Sequence, residues 1–233
     1  MPGWGIHLYI AKKLNEKLKL DYNEFMIGNV LPDIYSGWII KDASKKLEYE
    51  ITHYGKITKI NSHKFMLPDY NAFLRDNSIK NNPLALGYLC HILSDKFFNE
   101  YAFELKYIKD NKEKVVYVRD KNYSIIKADE KKAREMKQSD FALYSSIILD
   151  SNHFKPVSID EEVLSHSKMI KNVDIESEDL YKLEKYLNLM FKEHKKEKIK
   201  EDMYQMFSKS EIKNLIDMCV SYILVILSEN SLI

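Results

Sequence analysis

The chain of 233 residues is expected to fold as one mainly α-helical domain, residues 1–233, carrying a small β-hairpin insertion. Three observations lead there. Glycine and proline number only 6 and 5, well under their usual joint share of about 12%, and sheets and turns consume those residues. Apolar residues recur at helical spacing along most of the chain. No internal repeat, low-complexity segment or linker divides it. An apolar fraction of 45% and a charged fraction of 30% are those of a globular domain, which excludes disordered and collagen-like chains. Basic and acidic residues number 36 and 35, a net charge of +1, so no overall field draws the chain to nucleic acid or an anionic membrane. Cys90 and Cys219 are too few for a disulfide framework. No basic stretch leads into an apolar one at the start, so no signal peptide is expected. The longest apolar run, residues 219–227, is about half of the ~20 residues a membrane span needs. A soluble, cytoplasmic protein with reduced thiols is the expectation.

The elements follow in order. Over residues 6–20, Ile10, Ala11, Leu14 and Leu18 share one face and Lys12, Lys13, Glu16 and Lys19 the other. That pattern predicts an amphipathic helix with His7 at the start of its apolar face. A second helix begins after Asp21, an N-cap, and ends at Gly28 and Pro32. Residues 32–68 show no sustained period and read as irregular connections with short helices, a length that inside a domain points to function. Helicity resumes at 71–74 and, strongly, over 83–101. There Leu86, Cys90, Leu93 and Phe97 share one face, and Leu84, Gly87, Tyr88, His91, Asp95 and Phe98 the other. A helix apolar nearly all round belongs at the centre. Val115–Val118 and Tyr123–Ile126 flank Arg119-Asp120-Lys121-Asn122 and read as the β-hairpin. Helices return over 129–150, in one piece or two, and over 159–171, 178–195 and 210–228. The charged run 192–202 reads as a solvated helix face or turn, with His194 solvated inside it.

The central helix carries the strongest chemical signal. His91 and Asp95 lie four apart and share a face, and Gly87 one turn earlier leaves room there. A buried carboxylate is costly without a cation or donor. The pair reads either as a metal chelate or as a His–Asp hydrogen bond that orients the helix. His7 reads as a core histidine or a ligand, Asp33 as an Asx cap or a ligand, and His53 as a loop histidine or a ligand. Together His7, Asp33, His53, His91 and Asp95 offer three imidazoles and two carboxylates from four segments. That donor set suits zinc or another first-row metal better than calcium or magnesium. Asn99 shares the face of Asp95, and reads as a residue bonded to backbone or as an aid to that cluster. Asp140 reads as an N-cap, a surface carboxylate or a group that reaches a site. No P-loop, dinucleotide glycine fingerprint, His-Glu-x-x-His or Cys-x-x-Cys occurs. Nor does a basic, aromatic-rich patch of the kind that grips single strands.

An early histidine on the first helix, the turn Gly28-Asn29-x-x-Pro32-Asp33, the pair Thr52-His53 and the spacing Gly87-x-x-x-His91-x-x-x-Asp95 resemble the zinc-dependent phospholipase C family. The resemblance covers residues 4–101. It implies a multi-helix bundle of the type shared by phospholipases C and single-strand-specific zinc nucleases. Asp33, His53, His91 and Asp95 match the ligands of one zinc, and Asp95 with His7 those of a second. In secreted members an N-terminal tryptophan supplies its amine and carbonyl; here three residues precede Trp4, so that role is not carried over. Those members also hold a third zinc with a later His and a His-x-x-x-Glu. Here Tyr101 stands six residues after Asp95, and the next histidines, His153 and His166, lack that spacing. One or two zinc ions are therefore expected.

What the resemblance implies is metal-assisted hydrolysis of a phosphoester, a phospholipid or a nucleotide, with Asp33 both a ligand and the base that orients water. Two alternatives stand beside it. A His-Asp nucleotide phosphohydrolase needs an adjacent His-Asp dipeptide, which this sequence lacks. A non-catalytic helical protein could keep part of the metal site and act by binding a partner.

Overall fold

Helix α1, Trp4–Leu18, buries Ile10, Ala11 and Leu14 on the face the periodicity assigns to the core, and His7 with them. The computed structural model that shows this describes residues 2–37, 39–60, 63–112, 114–192 and 199–233. Helix α2, Tyr22–Gly28, opens on Asp21, whose carboxylate accepts the Glu24 N–H at 2.9 Å. A 3-10 turn, Leu31–Asp33, follows. After the short α3, Tyr49–Thr52, comes an antiparallel hairpin that the periodicity did not foretell: β1, Gly55–Ile60, with β2, His63–Pro68. The segment expected to be irregular thus contains strands. Lys56, Ile57 and Lys59 are all exposed, so β1 has no buried face to impose an alternation of two.

Helix α4, Tyr70–Asp76, leads to α5, Pro83–Tyr101, whose ends are where the sequence placed them. Among the residues of α5 from Leu84 to Asp95 every one is buried. It packs against α1, α2 and α4. The expected hairpin is present as β4, Val115–Arg119, and β5, Ile125–Lys127, and β3, Tyr107–Lys109, joins β4 to make three antiparallel strands. The Asp120 carboxylate accepts N–H groups from Asn122 and Ser124, which fixes the turn. Helix α6, Glu130–Ser151, is one piece. Helices α7, Glu161–Ser167, α8, Ser177–Lys192, and α9, Lys209–Glu229, complete the chain, and α9 packs on α1 and α5. His194 and most of the charged run 192–202 lie outside the described residues. The fold class is mainly α, as expected, and no helix among the described residues is long and apolar enough to cross a membrane.

Two details correct the sequence reading. Asp140 is neither a cap nor a surface group: it is fully buried in mid-α6, where its carboxylate accepts N–H groups from Gln205, Met206 and Phe207 at 2.7–2.8 Å. It ties the chain before α9 to α6. Gly87 leaves room, but backbone fills it. A Cβ there would stand 2.4 Å from the Phe25 carbonyl oxygen, and one at Gly28 would stand 2.0 Å from that of Leu84. α2 and α5 therefore meet backbone to backbone, and this contact sets the site.

Candidate metal centre

Four segments converge on one buried spot. α1 supplies His7, the 3-10 turn Asp33, the residue closing α3 His53, and α5 both His91 and Asp95; all five are at most 5% exposed. His53 Nε2 lies 3.2 Å from His91 Nε2, 3.5 Å from Asp33 Oδ1 and 3.4 Å from Asp95 Oδ2. His91 Nε2 is 3.8 Å from both Asp33 Oδ2 and Asp95 Oδ2. His7 approaches from the other side, its Nε2 3.3 Å from Asp95 Oδ1 and its ring stacked on that of His91 at 3.9 Å. Ligand atoms ~2.0–2.1 Å from one tetrahedral zinc stand about 3.3 Å apart, close to these spacings.

The polar groups around the spot orient the donors. His91 Nδ1 donates to the Asn29 carbonyl at 2.8 Å, which puts the proton on Nδ1 and the lone pair of a neutral ring on Nε2. The Asn29 side chain donates in turn to the Gly87 carbonyl, an exchange open only because α2 and α5 touch. His53 Nδ1 stands 2.8 Å from Thr52 Oγ1, and the Tyr49 ring stacks on the imidazole at 4.3 Å. Tyr54 follows with φ of 52°, a left-handed conformation costing about 1 kcal/mol or more for a bulky residue. The Trp4 indole N–H donates to Asp33 Oδ2 at 2.9 Å. The simple His91–Asp95 hydrogen bond is absent, since 3.8 Å is too long and the His91 proton points elsewhere.

Two features suit the spot to a cation. Both ring nitrogens of His7 and both oxygens of Asp95 are buried without a hydrogen-bond partner among the described residues. Burial also holds the imidazoles neutral, the form that ligates. His7 is pushed down to about 3 by burial, His53 well below its usual value by burial and the His91 charge, and His91 down by burial. Burial raises the Asp33 and Asp95 carboxyls, and an ion would reverse that by favouring their charged form. Among the described residues, groups of three or more ligand-type side chains close enough for a metal occur in this cluster alone, as His7–His91–Asp95 and Asp33–His53–His91. Exposed His153 stands outside the cluster, and His166 bonds Glu24 instead.

Beside the cluster opens a cavity of about 710 Å³, lined by Trp4, Asp33, Tyr49, Asn99 and Lys137, with Ile39, Met66 and Phe103 as apolar wall. Sequence reasoning missed Tyr49 and Lys137. Asn99 is not bonded to backbone as expected: its Oδ1 accepts from Lys137 Nζ at 3.0 Å. Burial brings the Lys137 ammonium down to about 8, against the opposing charge of Asp95.

The model of one family, zinc dependent phospholipase C, matches residues 6–139. The match runs past the motif-bearing segment 4–101 into α6, and takes in Lys137. No curated protein and no solved structure matches the chain. With helices that carry an imidazole–carboxylate cluster and a match across more than half of its length, the chain belongs to the zinc-dependent phospholipase C family.

Proposed function

We propose that the protein is a zinc-dependent phosphoester hydrolase of phospholipase C type, with one or two zinc ions held by His7, Asp33, His53, His91 and Asp95. The convergence of these five buried donors, with Nε2 and carboxylate oxygens 3.2–3.8 Å apart, supports the reading. Zinc held there lowers the pKa of water toward ~7 and neutralises charge on phosphoryl oxygens. The chain does the rest. Asp33 lines the cavity, and Trp4 holds its Oδ2; in this reading the carboxylate orients water and accepts its proton. Asn29 and Thr52 keep the His91 and His53 rings aimed inward. The apolar wall of Ile39, Met66 and Phe103 favours a phospholipid over a nucleotide.

Elemental analysis of the purified protein with phosphodiester and phospholipid turnover tests this. The expected result is one or two zinc per chain and turnover that a chelator abolishes. His91→Ala and Asp95→Ala should lose both metal and turnover, and His153→Ala neither. A wild-type protein that takes up no zinc with all five donors intact would leave the partner-binding alternative. We also place the protein in the cytoplasm; the buried free thiols Cys90 and Cys219 agree with a reducing compartment. Recovery of the native protein outside the cell would refute that placement.

A further inference from the structure

Two buried groups that line the cavity have donors to spare. Lys137 is 4% exposed, and among the described residues its ammonium donates to Asn99 Oδ1, which takes one of three N–H groups. Among the described residues no carboxylate oxygen lies within 4.0 Å of its Nζ. Lys106, the other buried lysine, shows the usual solution: its Nζ meets Glu211 Oε2 at 2.9 Å. The Tyr49 hydroxyl is the second donor, buried and without a partner among the described residues. Both line the same cavity as Asp33. A buried cation with no carboxylate within ion-pair reach and a buried hydroxyl without an acceptor are each costly, and sites that bind anions carry such a cost.

What satisfies both is an acceptor-rich anion next to the metal cluster. The Phe103 and Tyr107 rings flank the ammonium, 5.7 and 5.9 Å from their centroids, which holds it in place without neutralising it. Arg134 also lines the cavity but is paired with Glu130 at 3.4 Å and exposed, so it belongs to the rim. We propose that Lys137 and Tyr49 seat the non-bridging oxygens of the substrate's phosphoryl group, with Asn99 as a positioning residue for the lysine. The assignment deepens the hydrolase reading and rests on it for the phosphoester. The Lys137 and Tyr49 side chains would hold the phosphoryl by donation, the lysine's charge-assisted.

The test compares wild type, Lys137→Met and Tyr49→Phe for zinc content, thermal midpoint, inorganic phosphate affinity with and without zinc, and turnover. Lys137→Met should keep its zinc, weaken phosphate about tenfold or more, and lower kcat/KM about 10²-fold. Its thermal midpoint should hold or rise, because a buried charge with no carboxylate in ion-pair reach is gone. Tyr49→Phe should weaken phosphate several-fold, again with zinc retained. A Lys137→Met protein that binds phosphate as tightly as wild type, or melts earlier with unchanged affinity, would show a structural lysine and overturn the proposal. Failure of the wild type to take zinc or hydrolyse any phosphoester would instead remove the hydrolase reading, while phosphate titration of the metal-free protein would still read the seat by itself.

Discussion

His7 shows how burial alone prepares a ligand. The folded protein keeps it neutral down to about pH 3, whereas the unfolded chain protonates it near its ordinary value of 6.5. Over that interval the unfolded state binds more protons, so stability falls as pH falls. For the metal-free protein the loss from His7 between pH 6.5 and 5 is about 2 kcal/mol. Asp33 and Asp95, raised by burial, act with the opposite sign above their unfolded values, because there the folded state binds the extra proton. Urea denaturation of metal-free His7→Asn across pH 5–6.5 isolates the histidine, and its midpoints should depend less on pH than those of wild type. Trp4→Phe removes the donor to Asp33 Oδ2, and kcat should fall about tenfold with zinc content intact. All five cluster residues were legible in the sequence, because few residue types ligate zinc and only 7 histidines occur. Tyr49 and Lys137 were not, since tyrosines number 16, and what sets these two apart is their place on one cavity, which only three dimensions show.

The α2–α5 contact is the packing on which the cluster depends. Gly87→Ala drives a methyl group into the Phe25 carbonyl, and neither backbone can yield. The expected cost is about 3 kcal/mol by urea denaturation, with weaker zinc binding as His91 withdraws from Asn29. Asp140→Ala strands the buried N–H groups of Met206 and Phe207, frees that of Gln205, and should cost about 3 kcal/mol while leaving zinc content unchanged. The long helices were readable because a buried stripe imposes a period of 3.6 residues, and α5 was readable from Pro83 to Tyr101 because Asn82 and Pro83 start it. The first hairpin was hidden for the complementary reason: Ile57 is 63% exposed, so solvent lies where a buried face would have written the pattern. Asp140 misled because a carboxylate in mid-helix points outward unless distant N–H groups come to meet it.

Across the chain, the five donors belong to segments that are far apart in sequence and joined in the fold. An ion there binds the folded state alone and stabilises it by mass action, by about 4 kcal/mol at a thousandfold excess over its dissociation constant. Stripping it with a chelator should lower the thermal midpoint by about 10 °C. Calorimetry that finds no shift would refute a metal bound in this cluster. The donors all fall between positions 7 and 95, whereas the lysine facing the cavity stands on α6, a helix that contributes none of them and rests on α1. In the hydrolase reading, α6 thus acts on the reactant through Lys137 while supplying no donor to the ion. A small tilt of α6 would then retune which ester is accepted before it disturbed the donors on α5.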